Sequence, residues 1–222
     1  MKLSEQTRNV LKNFASINQN LLVKEGNEIA TMSQMKNIVA NATIPDSFPK
    51  EFAIYDLNEF LAALSLFSEP ELDFGDNSVT IFEGSNKCRY FYSDPSVVTT
   101  VTKQLKMPSQ EVEFTLTKAM FKQIMNASAT LGVQDLVLKG VKGGSTDIRI
   151  TDKKNDTSNS FSLSVSDTCD ADYEFYFKVE NLKLLSGDYK VQVSSKGISF
   201  FQNLEKEVNY FIALEPESSY NA

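Results

Sequence analysis

The chain has 222 residues, 41% of them hydrophobic, which is enough to bury one large core or two smaller ones. Its 22 basic and 29 acidic residues give a formal charge of -7, so the average surface repels phosphate and any nucleic-acid contact must rest on an uneven distribution of charge. With no histidine and only two cysteines, it lacks the commonest general base and the usual ligands of a zinc site.

Other absences narrow the field further. The opening "MKLSEQTRNVLKNF" has neither the apolar core nor the small-residue cleavage site of a leader, and no run of about eighteen apolar residues occurs, so a soluble, cytoplasmic protein without membrane contact is expected. Cys88 and Cys169 are read as two buried thiols in a reducing compartment, with a disulfide as the alternative. "GVKGGST", residues 140 to 146, lacks the Lys-Ser/Thr ending of a phosphate-binding loop and is read as a hairpin turn. Asp73 and Asp76 flank a turn, Asp152, Asp156, Asp167, Asp170 and Asp172 fall in polar loops, and no spacing selects an acid/base pair from them. No catalytic residue, metal ligand or cofactor is predicted, and the protein is read as a non-enzyme.

In chain order, residues 4 to 17 open on Ser4 as N-cap and place Thr7, Val10, Leu11, Phe14 and Ile17 on one helical face. The apolar strand "NLLVK" follows, then the alternating segments "NEIATM" and "KNIVANATI". "FAIYDLNEFLAALSLF", residues 52 to 67, reads as a strand that passes straight into a helix striped by Leu57, Phe60, Leu61, Leu64 and Phe67. A meander, "ELDFGDNSVTIFEGSNKCRYFYS", ends this half, and "DPSVVTTVTKQLKMPS", bracketed by Pro95 and Pro108, reads as a linker.

The second half repeats the order. A helix over 117 to 131 opens on Thr117 and sets Phe121, Ile124, Met125, Ser128 and Leu131 at the spacing of the first helix; "DLVLK", "STDIRITD" and "SNSFSLSVS" follow. In "EFYFKVENLKLLSG" the strand-to-helix turn returns, Phe175, Phe177 and Val179 matching Ala53, Tyr55 and Leu57, and Leu182 matching Phe60. The closing meander is "DYKVQVSSKGISFFQNLEKEVNYFIALE". Four blocks in one order at a slowly drifting offset imply a duplicated module. The predicted class is α+β, two similar domains with one-sided helices on one face of antiparallel sheets. Domain bounds of 1–94 and 110–222, joined by a linker over 95–109, are expected.

The cations are not spread evenly. The first helix turns Arg8 and Lys12 away from its apolar stripe, with Glu5 as its only acid, and the helix over 117 to 131 turns out Lys118 and Lys122 with no acid at all. Lys183 stands beside Glu180 on the predicted fourth helix.

This organisation resembles the sliding clamps, DNA polymerase processivity factors of the T-even bacteriophage type, in "MKLSEQTRNVLKNFASIN", "AIYDLNEFLAALSL", "SGDYKVQV" and "NYFIALEPESS"; from about 84 to 170 it is similar in layout only. The resemblance implies a DNA clamp fold, a homotrimer closed head to tail into a ring of six domains, and a hole lined by helices. It turns Arg8, Lys12, Lys118, Lys122 and Lys183 toward double-stranded DNA, held topologically and without regard to sequence. It implies a subunit interface in which "CRYFYS" meets "NSFSLSVS" of the next chain, using Cys88, Tyr90, Tyr92, Phe161 and Leu163. Partner peptides are expected beside the linker and last strand, at some of Val101, Leu105, Met107, Ile212, Leu214 and Pro216. The implied partners are DNA polymerase, an ATP-dependent clamp loader and late-transcription factors, in the host cytoplasm of a phage. The alternative readings are a non-catalytic phage structural or binding protein built from the same duplicated module, and a carboxylate-based hydrolase.

Overall fold

A computed structural model describes residues 1–103 and 105–221. The chain divides into two compact units, residues 1–104 and 105–222. The first contains α1 (Glu5–Ile17), β1 (Leu21–Val23), β2 (Gly26–Met32), β3 (Ile38–Phe48), β4 (Phe52–Ile54), α2 (Leu57–Leu64), β5 (Glu71–Phe74), β6 (Ser78–Glu83), β7 (Asn86–Phe91) and a 3-10 turn, Pro95–Val97. β1 pairs with β4, β2 with β3, and β5, β6 and β7 form a three-stranded meander, all antiparallel.

Helix α1 forms where its apolar spacing and its cap agree. The Ser4 hydroxyl accepts the Thr7 N–H at 3.1 Å, and Thr7, Val10, Leu11, Phe14 and Ile17 are all buried. They pack on β3 and α2. Helix α2 starts on Asp56, whose carboxylate accepts the N–H groups of Asn58 and Glu59. It buries Leu57, Phe60 and Leu64, and it ends before Phe67, which the sequence placed on its stripe. The strand that delivers it is also shorter than predicted: β4 stops at Ile54 and Tyr55 is 56% exposed.

The second unit contains β8 (Val112–Leu116), α3 (Lys118–Leu131), β9 (Asp135–Gly140), β10 (Thr146–Thr151), β11 (Phe161–Ser166), β12 (Asp172–Lys178), a 3-10 turn over Val179–Asn181, β13 (Tyr189–Ser194), β14 (Ile198–Asn203), β15 (Val208–Ala213) and β16 (Ser219–Asn221). One sheet runs β11-β10-β9-β12-β16. Beside it in sequence, β15, β14, β13 and β8 pair in that order, again antiparallel. The β9–β10 connection is the hairpin turn that "GVKGGST" suggested, with Gly143 at φ +75 where a side chain would be strained.

Helix α3 is capped by the Thr117 hydroxyl, which accepts the Met120 N–H, and it stops at Gly132 in the left-handed region, φ +66. Its apolar stripe is only partly covered: Ile124 is buried, Phe121, Ser128 and Leu131 are half-buried, and Met125 is 38% exposed. The predicted fourth helix does not form. After β12 the chain makes one 3-10 turn and then runs without regular structure to β13. Leu182 and Leu184 are buried alternately, a spacing of two that suits extended backbone and not a helix. The short strand β16, which the sequence reading did not include, adds Ser219 to Asn221 to the edge of β12.

Candidate nucleic-acid interface and strand edges

On α1, Lys12 is exposed and Arg8 half-exposed; on α3, Lys118 and Lys122 are exposed. Among the described residues none of these four cations has a carboxylate within ion-pair distance. The lysines of the second unit's strands are used differently: Lys139 meets Glu174 at 2.6 Å, Lys178 meets Asp135 at 2.5 Å and Lys190 meets Glu113 at 2.9 Å. Lys153, just after β10, reaches both Glu215 and Glu217. In a chain of net charge -7, the uncommitted cations therefore include a set on two helix faces.

The N-termini of both helices carry carboxylates from other elements. Asp46 Oδ2 accepts the Ser4 N–H at 2.8 Å, and Asp188 Oδ1 accepts the Lys118 N–H at 2.6 Å. Burial pushes the Asp46 carboxyl up, but hydrogen bonds from Thr7 and Ser4, with the nearby charge of Arg8, hold it below its ordinary value. An anion approaching α1 meets Asp46 at the N-terminus with Arg8 and Lys12 farther along, whereas on α3 Asp188 and Lys118 stand together at the first turn with Lys122 beyond them.

Lys183 stands apart from the other four. It follows the 3-10 turn on an irregular segment, half-buried between Leu182 and Leu184, and not on an α-helix as predicted. One support for a helix is missing here: its first turn has no cap. The position that matches Asp56 is Lys178, which cannot accept a hydrogen bond and makes no capping contact.

Strands β7 and β11 each lie at the edge of their sheet. Cys88 and Tyr90 on β7 turn half-buried toward their own unit: the Tyr90 hydroxyl donates to the Asp56 carbonyl at 3.1 Å, and its ring meets Phe60 edge-on at 5.3 Å. Tyr92 lies just past the strand, its ring 5.2 Å from Phe52; burial, with Asp73 and Asp76 nearby, pushes its hydroxyl up to about 12. Phe161 and Leu163 alternate on β11 with exposed Ser162 and Ser164. Both cysteines are free thiols, Cys169 buried as expected and Cys88 only half-buried.

The opposite side of β7 was missed. Lys87, Arg89 and Phe91 alternate outward, and Phe91 is 62% exposed. An isolated antiparallel bridge joins Ala53 to Ser93, and Tyr55 and Phe91 near it are both largely in solvent. Period-two alternation in "NKCRYF" was the available signal.

Of the expected partner-peptide residues, Val101 belongs to the first unit and is half-buried. In the second unit, Leu105 and Pro216 are exposed, Met107 is half-buried, Leu214 is 8% exposed, and Ile212 is fully buried within β15 with no surface to offer. Among the described residues no group of three or more His, Cys, Asp or Glu side chains could hold a metal ion, and no helix is long and apolar enough to cross a membrane.

Helix-bearing antiparallel sheets written twice in one chain define a duplicated clamp fold. The architecture is that of solved clamp structures: proliferating cell nuclear antigen of A. fulgidus, bound to the C-terminal region of FEN-1, superposes with a TM-score of 0.70 over 98% of both chains at 14% identity, and that of Entamoeba histolytica with 0.67 over 95% of both. Residues 3–108 match the family described as "DNA polymerase processivity factor", and residues 113–216 match "gp45 sliding clamp, C terminal". The sliding clamp of Vibrio phage KVP40 is 38% identical over 97% of this chain and 99% of its own, and that of Enterobacteria phage T4 is 30% identical over the whole of both. The chain belongs to the sliding-clamp family.

Proposed function

We propose that the protein encircles duplex DNA as a homotrimeric ring and tethers a DNA polymerase to its template. The observation that carries this reading is the set of unpaired cations on α1 and α3 in a chain that is acidic overall. Arg8, Lys12, Lys118, Lys122 and Lys183 face the DNA, and so few charges per subunit give weak contact to phosphate with no reading of bases. The ring then stays on DNA by topology and remains free to slide. A polymerase bound to it rebinds the template at high effective concentration, which is the source of processivity.

In this proposal residues 1–94 and 110–222 are the two ring domains and 95–109 their linker. The edge of β7, with Cys88, Tyr90 and Tyr92, joins the edge of β11, with Phe161 and Leu163, in the next subunit; pairing two free edges satisfies backbone groups that would otherwise invite aggregation. Partner tails dock on Leu105, Met107, Leu214 and Pro216 of the second unit. The protein is not an enzyme. An ATP-dependent loader places it on DNA, late-transcription factors share the docking surface, and the work is done in the cytoplasm of the phage's host.

The deciding experiment compares retention of the loaded protein on nicked circular and on linear DNA. It is expected to stay on circles and run off linear ends; equal retention on both would falsify topological holding. Replacing Lys118 and Lys122 by Glu should impair loading and sliding with an unchanged circular dichroism spectrum, and undiminished DNA-dependent function in that variant would remove these residues from the DNA-facing surface.

A further inference from the structure

In the first unit α1 is covered by α2, whereas in the second the corresponding place beside α3 is taken by residues 182–188, which form no helix. This segment is nevertheless tied to α3. Leu182 and Ile124 line the same apolar cavity, together with Phe177 and Phe201, and Asp188 holds the first N–H of α3. Lys183, between two buried leucines, therefore turns away from the core on a segment anchored to the helix that carries Lys118 and Lys122.

An irregular segment packed on a core must place its backbone polar groups somewhere. Here two buried tyrosines take them. The Leu185 N–H donates to the Tyr210 hydroxyl at 3.0 Å, and the Tyr189 hydroxyl donates to the Leu185 carbonyl at 2.5 Å. Both tyrosines are 0% exposed, and their rings meet edge-on at 6.1 Å. The pair grips both sides of one residue, two positions beyond Lys183.

We propose that Tyr189 and Tyr210 are positioning residues for DNA contact: their hydroxyls lock residues 182–188 in place of the missing helix and so fix Lys183 where it meets phosphate. The proposal rests on the reading that Lys183 faces DNA. Without one of these hydroxyls, a backbone group of half-buried Leu185 loses its partner and the segment opens to water. Lys183 then hangs on a loose tether and must be ordered anew at each contact.

The test is a double-mutant cycle on the full chain, with binding of a short labelled duplex followed by fluorescence anisotropy over a series of salt concentrations. Lys183→Met should weaken binding and lower the salt slope by about one for each Lys183 engaged. Tyr210→Phe, which keeps the ring, should reproduce that loss, and the double variant should bind no worse than Lys183→Met alone. Additive losses, or a Tyr210→Phe protein that binds like the parent while Lys183→Met weakens, would overturn the proposal and leave the DNA-facing reading intact. If Lys183→Met itself changes nothing while Lys118→Glu with Lys122→Glu still weakens binding, Lys183 is not a contact and the proposal falls with it. Should Tyr210→Phe fail to fold, Tyr189→Phe puts the same question from the carbonyl side.

Discussion

Helix α2 begins on Asp56, whose carboxylate accepts two backbone N–H groups at 2.9 and 3.1 Å; the matching residue of the second unit, Lys178, caps nothing and reaches away to Asp135 at 2.5 Å. β4 ends two residues before Asp56 whereas β12 runs through Lys178, and one is followed by an α-helix of eight residues, the other by a single 3-10 turn. A helix this short owes much of its existence to its cap and to its packing, because nucleation is unfavourable and few propagating bonds follow it. With a donor where an acceptor is needed, the second unit forgoes the helix and satisfies its backbone with tyrosine hydroxyls instead. The effect spreads to the neighbouring helix: α1, covered by α2, buries five side chains, while α3 buries only Ile124.

The most severe way to break the comparison is to empty its packing positions. Phe60 is 1% exposed and lies against Tyr90, so Phe60→Ala should cost about 3–5 kcal/mol. Its match, Leu182, is 4% exposed but already borders the cavity under α3, so Leu182→Ala should cost less, about 2–3 kcal/mol. Urea unfolding of the two variants measures both. A larger loss at Leu182 than at Phe60 would mean that the irregular segment packs as tightly as the helix it replaces.

The pair that Lys178 makes in place of a cap gives the second unit its own pH dependence. Burial pushes the Asp135 carboxyl up, but the hydrogen bond from Lys178, the Lys153 N–H and both lysine charges outweigh it and hold it below its ordinary 3.8. The hydrogen bond to Asp135 raises Lys178 above its ordinary 10.5, burial opposing. A depressed carboxyl stabilises the fold above its unfolded pKa and loses that contribution as pH falls through the folded value; a raised lysine stabilises below its unfolded pKa and loses the contribution as pH rises through the folded one. The pair therefore contributes fully between about pH 4 and pH 10. Asp135→Asn should cost about 2–3 kcal/mol at neutral pH, since it leaves Lys178 without its counter-charge. The gap between variant and parent should begin to close below about pH 4 and go on closing as pH falls through the folded value of Asp135; a gap constant from neutral pH to about pH 2 would show that the ion pair is not its source.

The fold was legible in the sequence wherever period and punctuation agreed. Ser4 and Thr117, each ahead of a stripe at helical spacing, marked α1 and α3, and alternation marked β2, β10 and β11. The run "VENLKLLSG" misled because its leucines suit a helix and an extended segment equally, and the decision lay in the cap, where the second half has Lys178 at the position of Asp56. The cations of α1 and α3 could be read because the opposite face of each helix is apolar. Buried Ile212 could not be read the same way: it lies in the apolar run of β15, and which side is covered there depends on segments distant in sequence, whereas the alternation of Lys87, Arg89 and Phe91 in β7 did carry a signal.

The gentlest change acts on the cap itself. Asp56→Lys gives the first unit the residue that the second unit has at this point. It removes the acceptor for Asn58 and Glu59 and sets a positive charge at a helix N-terminus, which the helix dipole disfavours. The expected cost is about 1–2 kcal/mol, small beside Phe60→Ala because Leu57, Phe60 and Leu64 still hold α2 against α1. Far-ultraviolet circular dichroism and hydrogen exchange at Asn58 to Leu61 report the result directly. Faster exchange confined to this first turn would mean that packing keeps the helix once it exists. Loss of protection through Leu64 would mean that one residue decides between the two forms, and that the units differ in structure here chiefly because they differ at this single cap.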